Sequence, residues 1–96
     1  MGVKFGREYS DIHQELADAI RQVEGFYAFF EMERTDWEAQ TEQEQAELAG
    51  TLADDLFYAL GEDPVIEIGE GKLVYDRSKH VICVEQQDTV QIVRLV

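Results

Sequence analysis

Apolar residues recur at helical spacing through the first third of the chain. A first helix is therefore predicted, capped at its N-terminus by Ser10 or Asp11. A helix that continued to about Arg34 would turn Phe29 toward solvent, where it could contact another chain. A helix that bent or ended at Gly25 would instead let the aromatic residues pack locally, and the sequence leaves both arrangements open. The predicted core stripe comprises Ile12, Leu16, Ala19, Ile20, Val23, Phe26, Tyr27 and Phe30.

A second helix is predicted from about Thr41 to Leu60. The capping-box pattern, a threonine followed three residues later by a glutamate, occurs twice before its apolar stripe, at Thr35 and at Thr41. The first box indicates a short helical turn that carries Trp37 inward, and the second marks the start of the long helix. Its predicted core face comprises Ala49, Leu52, Ala53, Leu56, Ala59 and Leu60, with Ala46, Leu48 and Phe57 on the flanks.

The helical pattern stops at Gly61, which is suited to a left-handed C-terminal position, and Pro64 prevents its continuation. Beyond Pro64 the apolar residues follow the period of strands, and no connection is long enough for a parallel crossover. The predicted strands are Val65–Ile68, Lys72–Asp76, His80–Glu85 and Thr89–Val96. The predicted fold is therefore α+β: a helical hairpin packed on one face of a four-stranded antiparallel β-meander (ααββββ), in one domain spanning residues 1–96.

The predicted strands carry apolar residues on both faces of the sheet. A sheet covered on one side alternates apolar and polar positions, whereas Leu73–Tyr75 and Val81–Val84 do not. The second face therefore needs a cover. Either the N-terminal arm with Val3 and Phe5 and the loop around Trp37 supply it, or a second copy of the chain does so across a two-fold axis. We expect the homodimer, because few residues remain outside the predicted elements to hide a whole sheet face.

The acidic residues are concentrated in one stretch. The chain has 21 Asp and Glu against 8 Lys and Arg, a net charge of −13, and 11 of the acids lie between Thr35 and Gly71, where no basic residue occurs. Direct binding to nucleic acid or to an anionic membrane is therefore not expected, whereas a basic protein would be attracted. The candidate partner-binding residues are Phe29, Met32, Trp37, Glu44, Glu47, Asp54, Asp55 and Tyr58.

Three interpretations of the acidic stretch stay open. It is a solvated face that keeps a small domain soluble, a surface that docks a basic protein, or a mimic of a nucleic-acid backbone. The preferred hypothesis is a non-enzymatic protein-interaction module that forms a homodimer. The alternative is a DNA-mimic inhibitor of a basic nucleic-acid-binding protein, by analogy of size and charge with small acidic phage-type inhibitors.

The sequence contains no pattern typical of catalysis, of a cofactor or of a metal site. The single Cys83 excludes an internal disulfide, and its apolar neighbours predict a buried small hydrophobe. His13 lies near Glu24 and Glu31 at the edge of the first helix's stripe, where one hydrogen bond is more usual than a metal. His80 lies three residues from Cys83 on one predicted strand, so the two side chains point to opposite faces and form no dyad. With no membrane-spanning run and a reduced cysteine, a cytoplasmic protein is expected.

Overall fold

Helices precede a four-stranded sheet in the computed structural model, which describes residues 3–96. The helices are α1 (Tyr9–Arg21), a 3₁₀ helix (Phe26–Phe30), α2 (Arg34–Glu38) and α3 (Glu42–Leu60). The strands are β1 (Val65–Ile68), β2 (Gly71–Asp76), β3 (Val81–Gln86) and β4 (Thr89–Arg94). The predicted α+β fold and its order of elements are thereby confirmed.

The sheet is the predicted antiparallel meander, with strand order β1-β2-β3-β4. Its β2–β3 turn is closed by the Asp76 carboxylate, which accepts hydrogen bonds from the backbone N–H groups of Ser78 and Lys79 at 3.1 Å each. His80 has a left-handed φ of 55° and belongs to this turn. The third strand therefore begins one residue later than predicted, because a left-handed residue cannot continue the extended ladder.

One face of the sheet, the inner face, packs against the helices. Helix α1 contacts α3 and β4, and α3 also contacts β1. Alternation along the strands directs one set of side chains into this layer. The buried inner-face residues are Ile68, Leu73, Tyr75, Ile82, Val84, Val93 and Leu95, and they meet Ile12, Leu16, Ile20, Phe26, Ala49, Leu52, Ala53, Leu56 and Leu60 from the helices.

Gly25 interrupts the first helical stretch, which decides between the two predicted arrangements. Helix α1 ends at Arg21, and Gly25 takes a left-handed φ of 75° before the 3₁₀ helix begins. The turn buries Phe26, whose ring meets the Trp37 ring edge-on at a centroid distance of 4.8 Å. Trp37 therefore points inward as predicted, while the Phe29 side chain remains half-exposed.

The first two helices begin at other residues than their capping patterns predicted. Helix α1 begins at Tyr9, after Glu8, so neither Ser10 nor Asp11 is its cap. The helix thus begins two or three residues earlier than its local signal indicates, and the Tyr9 ring packs there on the rings of Phe5 and Phe57. Helix α2 has its capping contact two residues earlier than predicted, because the Glu33 N–H donates to the Asp36 carboxylate at 3.4 Å.

The end of α3 also differs in detail from its prediction. The helix ends at Leu60 as expected, but Gly61 has a right-handed φ of −65° and not a left-handed one. Two backbone bonds of 3.1 Å, from Gly61 N–H to the Tyr58 carbonyl and from Glu62 N–H to the Ala59 carbonyl, tighten the last turn instead. On the core face, Ala59 is exposed and Phe57 is buried, because the N-terminal arm covers the Phe57 side of the helix.

The predicted capping box at the start of α3 is present. The Glu44 N–H donates to the Thr41 hydroxyl at 3.1 Å, and the Thr41 N–H donates to the Glu44 carboxylate at 2.9 Å. This backbone hydrogen bond holds the pKa of Glu44 below its usual range.

Replacing Thr41 by alanine is expected to lower the free energy of unfolding by about 1 kcal/mol. Because the pKa of Glu44 is lowered by folding, its contribution is complete above the unfolded-state pKa of about 4.3 and is lost as the pH falls through the folded value. Glu44→Gln should therefore flatten the loss of stability below about pH 5, measured by urea unfolding at several pH values. The matched control Glu47→Gln removes one charge from the same helix without touching the cap. An equal flattening in this control would contradict the assignment.

Candidate interaction surfaces

The outer face of the sheet is not covered by any element within residues 3–96. The N-terminal arm, one of the two segments of this chain considered as a cover, packs elsewhere: Gly6 N–H donates to the carbonyl of Leu95 at 2.7 Å, and Lys4 N–H donates to the hydroxyl of Tyr75 at 3.2 Å. Both partners belong to the inner-face set. The other, the Trp37 segment, packs on Phe26. Neither segment lies over the outer face, which residues 3–96 leave open.

An apolar row crosses this open face from one edge strand to the other. The strand register pairs Val65 with Val74, Val74 with Cys83, and Cys83 with Ile92, so the four side chains form a continuous line. At the two edges, Val65 is 46% and Ile92 is 59% exposed. Val74 and Cys83 are half-buried between their neighbours. This apolar row (Val65, Val74, Cys83, Ile92) is the feature that a plain two-layer domain would not display.

Charged residues of both signs flank the apolar row. On one side the register gives Glu67, Lys72, Glu85 and Val90 in line, and on the other Asp76, Val81 and Arg94. Two basic and three acidic residues therefore share the outer face. This near balance contrasts with the net charge of −13 of the whole chain.

Cys83 was predicted to be buried, and this prediction is wrong. Strand alternation sends its neighbours Ile82 and Val84 into the core and leaves Cys83 on the outer face, where it is half-buried. Partial burial, followed by the charges of Glu85 and Asp76, raises the pKa of its thiol. The thiol is consequently a weak nucleophile at neutral pH, but it is placed to report on any contact at the centre of this face.

A second candidate site lies between the N-terminal arm and the last turns of α3. It is a cavity of about 600 Å³, which we call the aromatic pocket. Its lining residues are Val3, Phe5, Tyr9, Asp54, Asp55, Phe57 and Tyr58. No lysine or arginine is among these residues, so within residues 3–96 the charged groups of its wall are carboxylates.

Three rings of the pocket pack on one another. Phe5 lies 5.6 Å from Phe57 and 5.8 Å from Tyr9, and Tyr9 lies 5.0 Å from Phe57, between ring centroids. The two contacts to Phe57 are edge-on, an arrangement that aromatic quadrupoles favour. Phe57 is buried beneath the cluster, whereas Phe5 is 46% and Tyr58 is 84% exposed. The pocket therefore has a buried aromatic base at Phe57 and more accessible aromatic rings at Phe5 and Tyr58.

Asp54 links the pocket to α1. Its Oδ1 accepts a hydrogen bond from the Tyr9 hydroxyl at 2.5 Å and lies 3.5 Å from Nε2 of His13. Burial, together with this bond to Asp54, raises the pKa of Tyr9, so its hydroxyl stays protonated and remains a donor. His13 Nε2 lies 2.7 Å from the Gly50 carbonyl. His13 is thus the hydrogen-bonded core-edge residue that its position predicted.

The structure brings together only part of the predicted partner-binding set. Asp54, Asp55 and Tyr58 meet at the aromatic pocket. Glu44 is engaged in the helix cap, and Glu47 is exposed on the same helix. The remaining three, Phe29, Met32 and Trp37, belong to the 3₁₀ helix, α2 and the chain between them, and do not line the pocket.

Sequence reasoning missed four of the seven residues that line the pocket, namely Val3, Phe5, Tyr9 and Phe57. The three aromatic residues among them carried a weak signal, since Phe5 precedes the first helix, Tyr9 begins it and Phe57 adjoins Tyr58. No local pattern joins two segments that lie about fifty residues apart. Only the packing of the arm on α3 makes them one site.

The chain matches no model of a known protein family, and no curated protein or solved structure was found to be similar to it. Within residues 3–96, no group of three His, Cys, Asp or Glu side chains is arranged to hold a metal ion. None of the helices in the described part of the chain combines the length and apolar character needed to cross a bilayer.

Proposed function

We propose that this chain is a cytoplasmic, non-enzymatic protein-interaction module that forms a homodimer through the outer face of its sheet. The observation that carries the proposal is the apolar row, which crosses a face that the described chain leaves open. Stacked sheets bury such rows between two layers about 10 Å apart. A second copy is the simplest source of the missing layer, because it presents the same row.

The charges of the outer face support self-association. Two copies that met through a strongly acidic surface would repel each other. The outer face carries Lys72 and Arg94 beside three acids, so it is close to neutral while the acids of α3 face away from the sheet's open side. Contact between identical outer faces therefore avoids most of the repulsion between two chains of net charge −13.

The register is compatible with a two-fold symmetric contact between two outer faces. A two-fold axis parallel to the strands sets β2 of one copy over β3 of the other and keeps each row facing its own equivalent. Val65 then lies opposite Ile92 of the second copy, and Lys72 lies opposite Glu85. Opposite charges thus meet twice, and the apolar row packs on itself.

The size of the face indicates a reversible dimer. Four strands about 4.8 Å apart, of which β1 has four residues and the other three have six, each residue rising about 3.4 Å, present a face of at most roughly 19 by 20 Å. Two such faces bury on the order of 1,000 Å² in total, at the lower limit of specific interfaces. We therefore expect dissociation on dilution.

Sedimentation over a dilution series from about 1 mM to about 1 µM tests the proposal. The expected result is a change from dimer to monomer, with Cys83 alkylated by iodoacetamide more slowly at the concentrated end at constant pH. A urea-unfolded sample controls for the intrinsic reactivity of the thiol, whose raised pKa slows alkylation at every concentration. A monomer throughout the series, with one alkylation rate, would reject the homodimer.

A further inference from the structure

We propose that the aromatic pocket binds the side chain of an arginine or lysine presented by a basic partner protein. This site lies on the helical side of the molecule, between the N-terminal arm and α3, and is lined by none of the outer-face residues. The inference therefore does not depend on the homodimer.

The shape of the pocket fits a long side chain with an apolar stem. Its volume of about 600 Å³ lies in the range of ordinary ligand pockets, and most of its lining is aromatic or aliphatic. Phe5, Tyr9 and Phe57 form a base that is held in place by mutual ring contacts. A cationic side chain can bury its methylene groups against such a base while its charged end stays at the rim.

The exposed rings favour a cation over a neutral apolar group. Tyr58, at 84% exposed, and Phe5, at 46%, are the most accessible rings that line the pocket. The face of an aromatic ring attracts a guanidinium or ammonium group within about 6 Å of its centroid. Two accessible rings in one pocket therefore offer a cation a favourable position that a neutral alkyl group would not use.

The carboxylates supply the complementary charge. Both contacts of Asp54, with the Tyr9 hydroxyl and with His13, use Oδ1, which leaves Oδ2 without a contact among residues 3–96. The neighbouring Asp55 makes no side-chain hydrogen bond or ion pair with any residue in that range, and it is exposed. In the wall of the pocket, Asp54 is held by the Tyr9 hydroxyl and Asp55 makes no such bond, so both carboxylates can accept hydrogen bonds from a guanidinium.

Defined side-chain mimics test the pocket by amide chemical-shift titration of the full chain. The probes are n-butylguanidinium for arginine, n-butylammonium for lysine, and N-butylurea, which matches the guanidinium in shape but is neutral. We expect the two cations to shift the resonances of Phe5, Tyr9 and residues 54–58, and to bind at least about fivefold more tightly than the urea. Equal binding of N-butylurea, or shifts spread over the whole acidic surface, would overturn the proposal.

Matched variants separate a local carboxylate from the general negative charge. Asp55→Asn should weaken the binding of n-butylguanidinium by about fivefold, whereas Asp88→Asn, which removes the same charge from the β3–β4 turn, should leave it unchanged. Tyr58→Ala, at a side chain that is 84% exposed, should weaken it without unfolding the chain. Equal effects of the two aspartate variants would mean that only net charge is sensed, and would reject the site.

A second titration, with short peptides, distinguishes an arginine side chain presented by a protein from a small free cation. Acetyl-Ala-Ala-Arg-Ala-Ala-amide should shift the same pocket resonances, and the peptide with citrulline in place of arginine should not. If n-butylguanidinium enters the pocket but the arginine peptide does not, the site takes free small cations and the proposed partner is wrong. Because the titration is followed residue by residue, either outcome can be read whether or not the chain dimerises.

Discussion

Replacing Gly69 by alanine is expected to lower the free energy of unfolding by about 3 kcal/mol or more. Gly69 has a left-handed φ of 50°, a conformation that costs an L-residue about 1–2 kcal/mol. A Cβ atom there would lie 2.4 Å from the carbonyl oxygen of Glu24 and 2.8 Å from the nitrogen of Phe26. These are backbone atoms, so no rotamer change relieves the overlap. The loop must move, which also strains the hydrogen bond of 2.9 Å from Glu70 N–H to the Glu24 carbonyl, worth about 1 kcal/mol.

Gly61→Ala is the matched control for this prediction. Gly61 has a right-handed φ of −65° at the end of α3, and a Cβ atom there would meet nothing within 4 Å among the described residues. Alanine should therefore be neutral or stabilise the fold by about 0.4–1 kcal/mol, by restricting the unfolded chain. Urea unfolding followed through the fluorescence of Trp37, which packs on Phe26, measures both variants. A loss below about 1 kcal/mol for Gly69→Ala would contradict the close approach of the β1–β2 turn to the loop after α1.

Ile92→Lys is expected to weaken the proposed homodimer by about 100-fold. The Ile92 side chain is 59% exposed in the single chain, so the monomer tolerates the substitution. In the two-fold dimer each substitution occurs twice, and each lysine would face the apolar Val65 of the other copy. Losing roughly half of an isoleucine's burial at two positions removes about 2–3 kcal/mol. That loss corresponds to about two orders of magnitude in the dissociation constant, before the desolvation of the two ammonium groups is counted.

Phe29→Lys controls for the added positive charge. Phe29 is 50% exposed, close to the value for Ile92, but it belongs to the 3₁₀ helix on the other layer of the molecule. Phe29→Lys should leave the dissociation constant of the dimer unchanged, as measured by sedimentation equilibrium. Circular dichroism verifies that both variants are folded. Equal weakening by both variants would mean that the loss does not come from a contact at Ile92. No weakening by Ile92→Lys would remove the outer face from the interface.

Local patterns were sufficient for the order of elements and for most of their boundaries. The stripe of α3, its cap at Thr41 and the strands after Pro64 depend on neighbours a few residues apart, and they were predicted apart from Ala59, which is exposed, and shifts of one or two residues at strand ends. The errors lie where distant contacts compete with local preference. Tyr9 joins α1 because its ring meets Phe57, and the last turn of α3 closes through backbone bonds that leave Gly61 right-handed.

In the interaction surfaces, too, local patterns predicted some features and contacts between distant residues decided the others. Strand register and alternation, once known, assign Val74 and Cys83 to one row, but the sequence alone did not say which face of the sheet the helices would cover. It therefore predicted a buried Cys83 where the thiol lies on the open face. The pocket likewise needs Phe5 beside Phe57, a contact between residues 52 positions apart in the chain.

The amino-acid sequence by itself determined a helical hairpin, a four-stranded meander, an excess of apolar residues in the strands and a concentration of acids between Thr35 and Gly71. These properties follow from hydrophobic period, turn residues and composition, which act over short distances along the chain. The tertiary structure alone decided which apolar side chains stay uncovered and which acids stand beside aromatic rings. Two apolar faces of a strand are equivalent until a helix packs on one of them, and that choice depends on contacts between segments far apart in the sequence.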